Sequence, residues 1–226
     1  MNNWKEYFKR EIQLWGEETQ ESLLKKRVLI VGAGGLGCSL GVALGGSGVG
    51  FIDIVDFDEV AFHNIHRQIA FDKDDVGSPK ASCLAQKLSK RNPFLRVKSF
   101  EMGFEEFIQN YTKSSSYDLI LDATDNLQIR TKIDQWAKSK KIPWIYGSVE
   151  GFLGQVCFFE DASFESFANK NHTPDGIAPP MVMQIASFQA NLALRYLAKL
   201  PIQKDRLFFI YYNNRGEQIL QQFKMP

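Results

Sequence analysis

A glycine-rich loop follows directly on a short apolar run near the start of the chain. The run "RVLIV" at residues 27–31 ends at the loop "GAGGLG" at residues 32–37, and a segment with helical residue types comes next. This order of strand, turn and helix fits the pattern G-x-G-x-x-G. Glycine lets the backbone approach a phosphate, and the helix N-terminus supplies N–H donors. The loop therefore predicts a nucleotide site that includes Gly32, Gly34, Gly35, Leu36 and Gly37.

Strand and helix patterns continue to alternate after this loop. "GFIDIVDFD" completes a strand–helix–strand unit, and Ser78-Pro79 predicts the start of another helix. "VKSFEM", "YDLILDA" and "IPWIYGSV" predict further strands, and a long helix and a hairpin around "NNRG" follow later. We expect an α/β fold: a doubly wound, Rossmann-like, mostly parallel sheet with a C-terminal antiparallel extension. No linker interrupts the chain, so residues 1–226 are predicted to form a single domain.

The composition narrows the class of protein. Lys and Arg number 27 against 26 Asp and Glu, so the formal net charge of +1 favours neither nucleic acid nor a membrane surface. No stretch approaches the roughly 20 apolar residues of a membrane span, and the N-terminus does not resemble a signal peptide. The three cysteines are an odd number at wide spacing, which argues against a disulfide framework. These features predict a cytoplasmic protein that does not bind a membrane, and they disfavour nucleic acid as a binding partner.

Polar residues beyond the loop favour one nucleotide over others. Asp56 lies 24 residues after Gly32, close to the roughly 20-residue spacing at which a carboxylate meets a ribose. Arg67, in "HNIHRQ" at residues 63–68, and Lys80 are cations expected near the carboxyl end of the sheet. Several cations fit a triphosphate better than the pyrophosphate of NAD, so the predicted ligand is ATP. Asp125 follows a strand and could hold Mg²⁺ on the phosphates, since hard cations take oxygen ligands.

Each of these residues also has an ordinary alternative role. Lys80 could be a solvated charge at a helix end, Arg67 a surface ion pair, and Asp125 a helix N-cap. Each alternative explains one residue, but together they are a poor explanation of the set. An NAD-dependent oxidoreductase would account for the loop alone and would leave "HNIHRQ" and Lys80 unexplained.

The chain resembles the ThiF/MoeB/HesA family, the bacterial relatives of ubiquitin-activating enzymes, and looks most like a ThiF-type protein. The resemblance rests on six segments in the family's order and spacing: "YFKREIQLWG", "RVLIVGAGGLGCSL", "VDFDEVAFHNIHRQIAF", "VGSPKA", "LDATDN" and "GQVCFFE". Members use ATP to adenylate the C-terminal glycine carboxylate of a small ubiquitin-like carrier and release pyrophosphate. The resemblance implies an adenylyltransferase for a ThiS- or MoaD-like sulfur carrier ending in Gly-Gly, with thiamine biosynthesis favoured.

The resemblance also assigns roles to single residues. Arg10 resembles an arginine that reaches the phosphates from a neighbouring subunit, which implies a homodimer. Gln68 and Arg130 are weaker candidates than the other matching residues. The implied catalytic residues are Arg10, Arg67, Lys80 and Asp125, the last of which would hold Mg²⁺. Beyond the loop, the implied ATP contacts are Asp56 on the ribose and Asp58, Asn64, Arg67, Gln68, Lys80, Asp125 and Asn126.

Adenylation of a carboxylate needs no catalytic base. A terminal carboxyl group has a pKa of about 3.5 and is already ionised at neutral pH, so it can attack the α-phosphorus directly. The enzyme has to place two anions in line and neutralise the charge that builds up on the departing pyrophosphate. The cations and Mg²⁺ suit that task.

The chain departs from the family pattern in its cysteines. Many members bind a structural zinc through two CxxC pairs, and some carry a reactive cysteine before the last long helix. Here Cys38, Cys83 and Cys157 are separated, and "NKNHTPDGIAPP" contains none. Three separated cysteines cannot supply four sulfur ligands, so no zinc is expected. The cysteines are expected to be buried hydrophobic residues, and sulfur to come from a separate donor protein.

Other readings and weaker features stay open at this point. A relative that adenylates a carboxylate on tRNA, as the threonylcarbamoyladenosine dehydratases do, is an alternative that the near-zero net charge disfavours. A non-catalytic partner subunit would need none of the catalytic set.

The loop at residues 160–178 is predicted to be mobile and to close over the carrier tail with Phe164 and Phe167, while His172 is expected to be solvated. The apolar run "LFFIYY" either meets the carrier or packs in the core.

Overall fold

The computed structural model describes residues 3–111, 116–166 and 176–225. Three short helices precede the sheet: α1 (Trp4–Tyr7), α2 (Lys9–Trp15) and α3 (Glu17–Leu23). The alternating part follows as β1 (Arg27–Val31), α4 (Gly35–Gly46), β2 (Phe51–Val55), α5 (Lys80–Arg91), β3 (Arg96–Phe100), α6 (Phe104–Tyr111), β4 (Leu119–Asp122), α7 (Leu127–Lys140) and β5 (Trp144–Glu150). The remaining elements are β6 (Leu153–Phe159), α8 (Pro179–Leu197), β7 (Arg206–Tyr212) and β8 (Gln218–Lys224). Short 3-10 helices lie at Phe62–Asn64, Lys73–Asp75 and Phe164–Ser166.

The eight strands of the described residues form one sheet in the order β3-β2-β1-β4-β5-β6-β7-β8. Strands β1 to β5 pair in parallel, and β6, β7 and β8 continue the sheet in antiparallel pairs. The predicted doubly wound, mostly parallel sheet with a C-terminal antiparallel extension is confirmed. The chain builds outward from β1 to β3 and then returns to the other side of β1 with β4. The strand order therefore reverses between β1 and β4, where the carboxyl ends of parallel strands form a ligand crevice.

Strand β1 shows why a continuous apolar run forms the centre of this sheet. Val28 and Ile30 belong to a core shared with helices α4, α5 and α8, whereas Leu29 and Val31 belong to a second core shared with α6 and α7. Successive side chains of a strand point to opposite faces, so a strand with helices on both faces must be apolar at each buried position. The buried residues 28–31, "VLIV", meet that requirement.

Helices α1, α2, α3 and α6 were not predicted from the sequence. Helices this short are marginal alone, and contacts with the rest of the chain hold them in place. Phe8, between α1 and α2, is fully buried. The indole N–H of Trp15 donates to Gln20 at 2.8 Å, and Gln20 donates in turn to the carbonyl of Ser47 at 3.2 Å. The predicted start of α5 was wrong by one residue, because Pro79 is the N-cap and Lys80 the first helical residue.

The predicted role of Phe164 in closing over a carrier tail is wrong. Its ring is fully buried and packs against Trp144 and Phe159, with ring centroids 5.8 and 6.3 Å away. Its N–H donates to Asp134 of α7 at 3.3 Å. An apolar side chain in a segment without periodicity has joined the core through contacts with β5, β6 and α7. Phe167 and His172 lie outside the described residues.

The structure shows the surroundings of the three cysteines and the apolar content of the helices. All three cysteines are unpaired and buried, which confirms the expectation that they are buried hydrophobic residues. Burial raises the pKa of Cys38 and of Cys83 to about 12. Among the residues that the structure describes, no helix combines the length and the apolar content needed to cross a bilayer.

Replacing Phe164 tests its place in the core. Phe164→Ala is expected to lower the free energy of unfolding by about 3–5 kcal/mol, because it leaves a cavity among aromatic rings. Phe152→Ala is the control, since that ring is 67% exposed and its loss should change stability by less than about 1 kcal/mol. Urea denaturation measures both variants. Equal stability for the two would contradict the burial of Phe164.

Candidate nucleotide site

The glycine loop connects β1 to α4 at the carboxyl end of the sheet. Gly32 has a φ of 99°, and a Cβ there would lie 2.6 Å from the carbonyl oxygen of Ala123, just after β4. A Cβ on Gly37 would lie 2.0 Å from the carbonyl oxygen of Gly32. Packing between β1, β4 and α4 therefore requires both of these glycines. Their presence alone does not indicate a ligand.

Gly34 is different, because the protein leaves room for a side chain there. Its φ is −77°, and the nearest atom to an added Cβ is Nε2 of Gln68 at 3.6 Å. Gly34 is the N-cap of the twelve-residue helix α4 and offers no side-chain oxygen to its first N–H groups. Packing does not explain the missing side chain, whereas a ligand close to these N–H groups does.

Gln68 supplies a second observation at the same place. The residue is 3% exposed, and its Oε1 atom is buried without a hydrogen-bond partner among the described residues. Buried polar groups are nearly always hydrogen-bonded, so an orphaned amide beside the glycine loop fits a ligand or an ordered water. Gln68 was a weaker candidate in the sequence, and the structure places it next to Gly34.

Asp56 follows β2 and is bonded to the glycine loop. Its Oδ2 accepts the N–H of Ala33 at 2.6 Å, and its Oδ1 accepts the N–H of Asp58 at 2.7 Å. Burial raises the pKa of Asp56, and these N–H groups and the charge of Lys80 oppose the shift only in part. Asp56 therefore braces the loop. Its contact with a ribose stays a prediction.

Lys80 is a buried cation held by Asp58. Lys80 is 7% exposed, and its Nζ lies 2.8 Å from Oδ2 of Asp58. The alternative in which Lys80 is a solvated charge is therefore wrong. It is also the first residue of α5, where a positive charge opposes the helix dipole, so Asp58 has to offset that cost. A helix has no structural need for a lysine at this position.

The segment "HNIHRQ" at residues 63–68 also lies against the glycine loop. Asn64 is buried and its Oδ1 accepts the N–H of Ala61 at 3.1 Å. The carbonyl of Arg67 would lie 3.3 Å from a Cβ on Gly35. Nη1 of Arg67 donates to the carbonyl of His63 at 3.1 Å, and among the described residues no carboxylate forms an ion pair with it. The surface ion pair is therefore not seen, and the guanidinium lies beside the loop.

The loop after β4 forms the opposite side of the crevice. Asp125 is exposed, and no hydrogen bond to its carboxylate occurs among the described residues. Asn126 caps α7 by accepting the N–H groups of Gln128 and Ile129 at 2.8 and 3.2 Å. The alternative in which Asp125 is the N-cap is therefore wrong. Because the oxygen of Asn126 already serves the helix, its predicted ATP contact would have to come from the remaining atoms of that residue.

Arg130 has a structural position behind this loop. The side chain is buried, and its Nε donates to Asp122 at 2.9 Å. Its Nη2 donates to the carbonyls of Thr124 and Gly147 at 2.5 and 3.0 Å. Arg130 thus ties the end of β4 to β5 and orders the backbone that carries Asp125. This arrangement favours a positioning role over phosphate contact.

Arg10 lies away from the other predicted residues. It lines a groove with Leu194 of α8 and with Ser47, which is the C-cap of α4. The glycine loop is at the other end of α4, about 18 Å away for a twelve-residue helix. An arginine side chain cannot span that length, so Arg10 cannot reach the glycine loop of its own chain.

Gln189 was missed by the sequence analysis. It is fully buried in α8, and its Nε2 donates to the carbonyl of Asp122 at 2.8 Å. A Cβ on Gly147 would lie 2.3 Å from its side chain, so that glycine makes room for it. The available signal was a polar residue on the apolar stripe that includes Val182, Ile185 and Ala193. Gln189 supports the floor of the crevice from below.

The assembled residues fit a nucleotide phosphate chain better than a metal cage. Gln68 and Arg67 lie against the glycine loop, and the charge of Lys80 acts on Asp56, which is bonded to that loop. Asp125 follows β4. Among the described residues, no group of three or more His, Cys, Asp or Glu side chains could hold a metal ion. Mg²⁺ commonly binds one or two carboxylates together with substrate phosphates, and Asp125 could serve in that way.

Comparison with known proteins identifies the family. A family model described as the ThiF family matches residues 8–226. The chain belongs to the ThiF family. Among its relatives, the molybdopterin-synthase adenylyltransferase of Salmonella typhimurium is 32% identical over 191 residues, which cover 80% of this chain and 76% of that protein. The sulfur carrier protein ThiS adenylyltransferase of Escherichia coli is 30% identical over 202 residues, covering 84% and 80%. The resemblance inferred from the sequence is confirmed.

Other ThiF-family relatives are longer than this chain. The chain spans 53% of the Caenorhabditis briggsae protein named adenylyltransferase and sulfurtransferase MOCS3, with 32% identity over 224 residues and 90% of the chain covered. Among solved structures, Escherichia coli MccB with ATP aligns with a TM-score of 0.83 at 20% identity, over 100% of this chain and 72% of MccB. At that identity the likeness shows the shared fold.

Two glycine substitutions separate ligand contact from packing. Gly34→Ala is expected to keep the free energy of unfolding within about 1 kcal/mol of wild type and to weaken ATP binding at least about tenfold, because the methyl group enters the predicted phosphate position. Gly37→Ala should instead destabilise the protein by about 1–3 kcal/mol, since its methyl group meets the carbonyl of Gly32. Calorimetric titration and urea denaturation measure the two effects. Wild-type ATP affinity in Gly34→Ala would contradict a ligand at this loop.

Proposed function

We propose that the chain uses ATP and Mg²⁺ to adenylate the C-terminal glycine carboxylate of a small ubiquitin-like sulfur-carrier protein and releases pyrophosphate. The observation that carries the proposal is the open position at Gly34 beside the orphaned amide of Gln68, with Arg67 against the loop at Gly35. Membership of the ThiF family and the names of its adenylyltransferase relatives support this reaction over an NAD-dependent oxidation.

The reaction requires positioning and charge neutralisation. The carrier carboxylate is ionised at neutral pH and attacks the α-phosphorus, while the bond to pyrophosphate breaks. Arg67 and Lys80 would bind phosphate oxygens and stabilise the charge that accumulates on the leaving group. Mg²⁺ held by Asp125 would add to that neutralisation. Asp56 is held against the glycine loop. It would bind the ribose of ATP and so help to fix the position of the α-phosphate.

An exposed apolar cluster beside the crevice supports a protein substrate. Strand β5 is parallel to β4, so the turn after Glu150 lies at the same edge of the sheet as Asp125. Phe152 in this turn is 67% exposed and packs edge-on against Tyr212 of β7, which is 48% exposed. The run "LFFIYY" divides accordingly: Leu207, Phe208 and Ile210 are buried, and Tyr212 is free to meet a partner. We infer that the carrier docks on Phe152 and Tyr212 and directs its tail into the crevice.

Arg10 gives the reason to propose a homodimer. The residue cannot reach the glycine loop of its own chain, as the length of α4 shows, so it would act only in the site of a second copy. This agrees with the role that the family resemblance implies. Each site would then contain Arg67, Lys80 and Asp125 of one subunit and Arg10 of the other.

The proposal also covers the type of carrier and the source of the sulfur. We expect a carrier of the thiamine pathway, with a molybdopterin-type carrier as the comparison, since relatives are named for both. Every cysteine of the chain is buried, and burial raises the thiol pKa. No thiol of this chain is therefore placed to attack the acyl-adenylate. Sulfur would come from a separate protein.

Loss of a phosphate contact should slow the chemistry without unfolding the protein. Arg67→Ala and Asp125→Ala are each expected to lower the rate of carrier-dependent ATP–pyrophosphate exchange at least about tenfold, or about 1.4 kcal/mol of transition-state stabilisation. The matched controls are Arg91→Ala and Asp161→Ala, which remove the same charges from exposed positions away from the crevice. A folded Arg67 or Asp125 variant with wild-type exchange would remove that residue from the mechanism.

The docking surface can be tested separately from the nucleotide site. Phe152→Ala and Tyr212→Ala are each expected to raise the KM for the carrier about tenfold and to leave ATP affinity unchanged, because exposed aromatic anchors contribute strongly to protein interfaces. Phe223→Ala is the control, since this half-exposed ring lies at the far end of the same hairpin. An unchanged carrier KM in both variants would contradict docking at this cluster.

A further inference from the structure

His66 makes a contact that the proposed reaction does not yet use. Its Nε2 lies 2.8 Å from Nη1 of Arg67, and the same Nη1 donates to the carbonyl oxygen of His63 at 3.1 Å. A guanidinium has only donors, so Nε2 of His66 must be the acceptor in this contact. An imidazole nitrogen accepts only when it carries no proton. The contact therefore exists only while the ring of His66 is neutral.

Among the described residues, no carboxylate is paired with His66 to compensate for a proton on its ring. The glycine loop and the start of α8 lie against Arg67, because a Cβ on Gly35 would meet Cγ of Arg67 at 3.7 Å and Val182 at 2.7 Å. Residues 32–37 and 179–184 contain no charged or titratable side chain. The same turn adds only His63, and among the described residues no carboxylate pairs with His66 or Arg67. A proton on His66 would therefore set two cations side by side.

We propose that His66 is a positioning residue for Arg67, so that its neutral ring holds the guanidinium beside the glycine loop and its protonation releases it. The inference rests on the proposed function, in which Arg67 contacts the phosphates of ATP. Adenylation should accordingly fall in acid once the ring of His66 carries a proton, because a protonated nitrogen cannot accept a hydrogen bond. The loss follows from the direction of protonation, since acid removes the acceptor and adds repulsion.

Three variants of the full chain separate this role from a general effect on folding. His66→Ala removes the acceptor and is expected to lower kcat for carrier-dependent exchange about tenfold at pH 8, because the guanidinium loses the hydrogen bond that holds it. His66→Gln keeps an acceptor that does not titrate, so it should restore most of kcat and lack the decline in acid. His63→Ala is the matched control, because His63 contributes only its backbone carbonyl to Arg67.

The double variant distinguishes failure of this inference from failure of the proposed function. In an Arg67→Ala background, His66→Ala should have no further effect on kcat, because His66 acts through Arg67. If Arg67→Ala lowers exchange while His66→Ala and His66→Gln keep the wild-type rate and pH profile, His66 has no positioning role and the inference fails alone. If the wild-type chain neither binds ATP nor catalyses exchange with a ThiS-type or MoaD-type carrier, the proposed function fails, and the inference fails with it.

Discussion

The close approach of α4 to the turn after β1 determines where the rest of the site lies. Gly37 sits so near the carbonyl of Gly32 that no side chain fits between them. This contact brings the N-terminus of α4 into the crevice where the strand order of the sheet reverses. The loop then serves as the support for its neighbours: Asp56 bonds to Ala33, and the backbone of Arg67 lies against Gly35. The candidate nucleotide site therefore depends on one helix packed tightly on one strand.

Much of the fold could be predicted from the sequence because its signals are local. The apolar run of β1, the spacing of the loop glycines and the alternation of strand and helix patterns each occupy a few neighbouring residues. The antiparallel hairpin at the end was readable from its turn residues for the same reason. The features that could not be predicted depend on contacts between residues far apart in the sequence. Phe164 is buried by rings and by Asp134 in other parts of the chain, and the short helices α1, α2 and α3 depend on contacts such as that between Gln20 and Ser47.

The candidate site likewise has some features that the sequence predicts and others that it does not. Gly34, Lys80 and Asp125 could be chosen by motif, and they lie at the N-cap of α4, at the start of α5 and after β4. Their environments could not be predicted: Lys80 is paired with Asp58, 22 positions away, and Asn126 takes the capping role considered for Asp125. Gln189 was missed because its function depends on a contact with β4 across the sheet. Residue type and spacing indicate the chemistry, whereas burial and pairing decide which residues are free to take part.

The most direct test of adenylation is the mass of the carrier itself. The full chain would be mixed with ATP, Mg²⁺ and a purified ThiS-type or MoaD-type carrier ending in Gly-Gly, in the presence of pyrophosphatase, and intact carrier would be measured by mass spectrometry. If the chain adenylates the carrier, the carrier gains the mass of one AMP group, and a carrier that lacks its terminal glycine gains none. Carrier of unchanged mass, from a chain shown to bind ATP, would contradict the account.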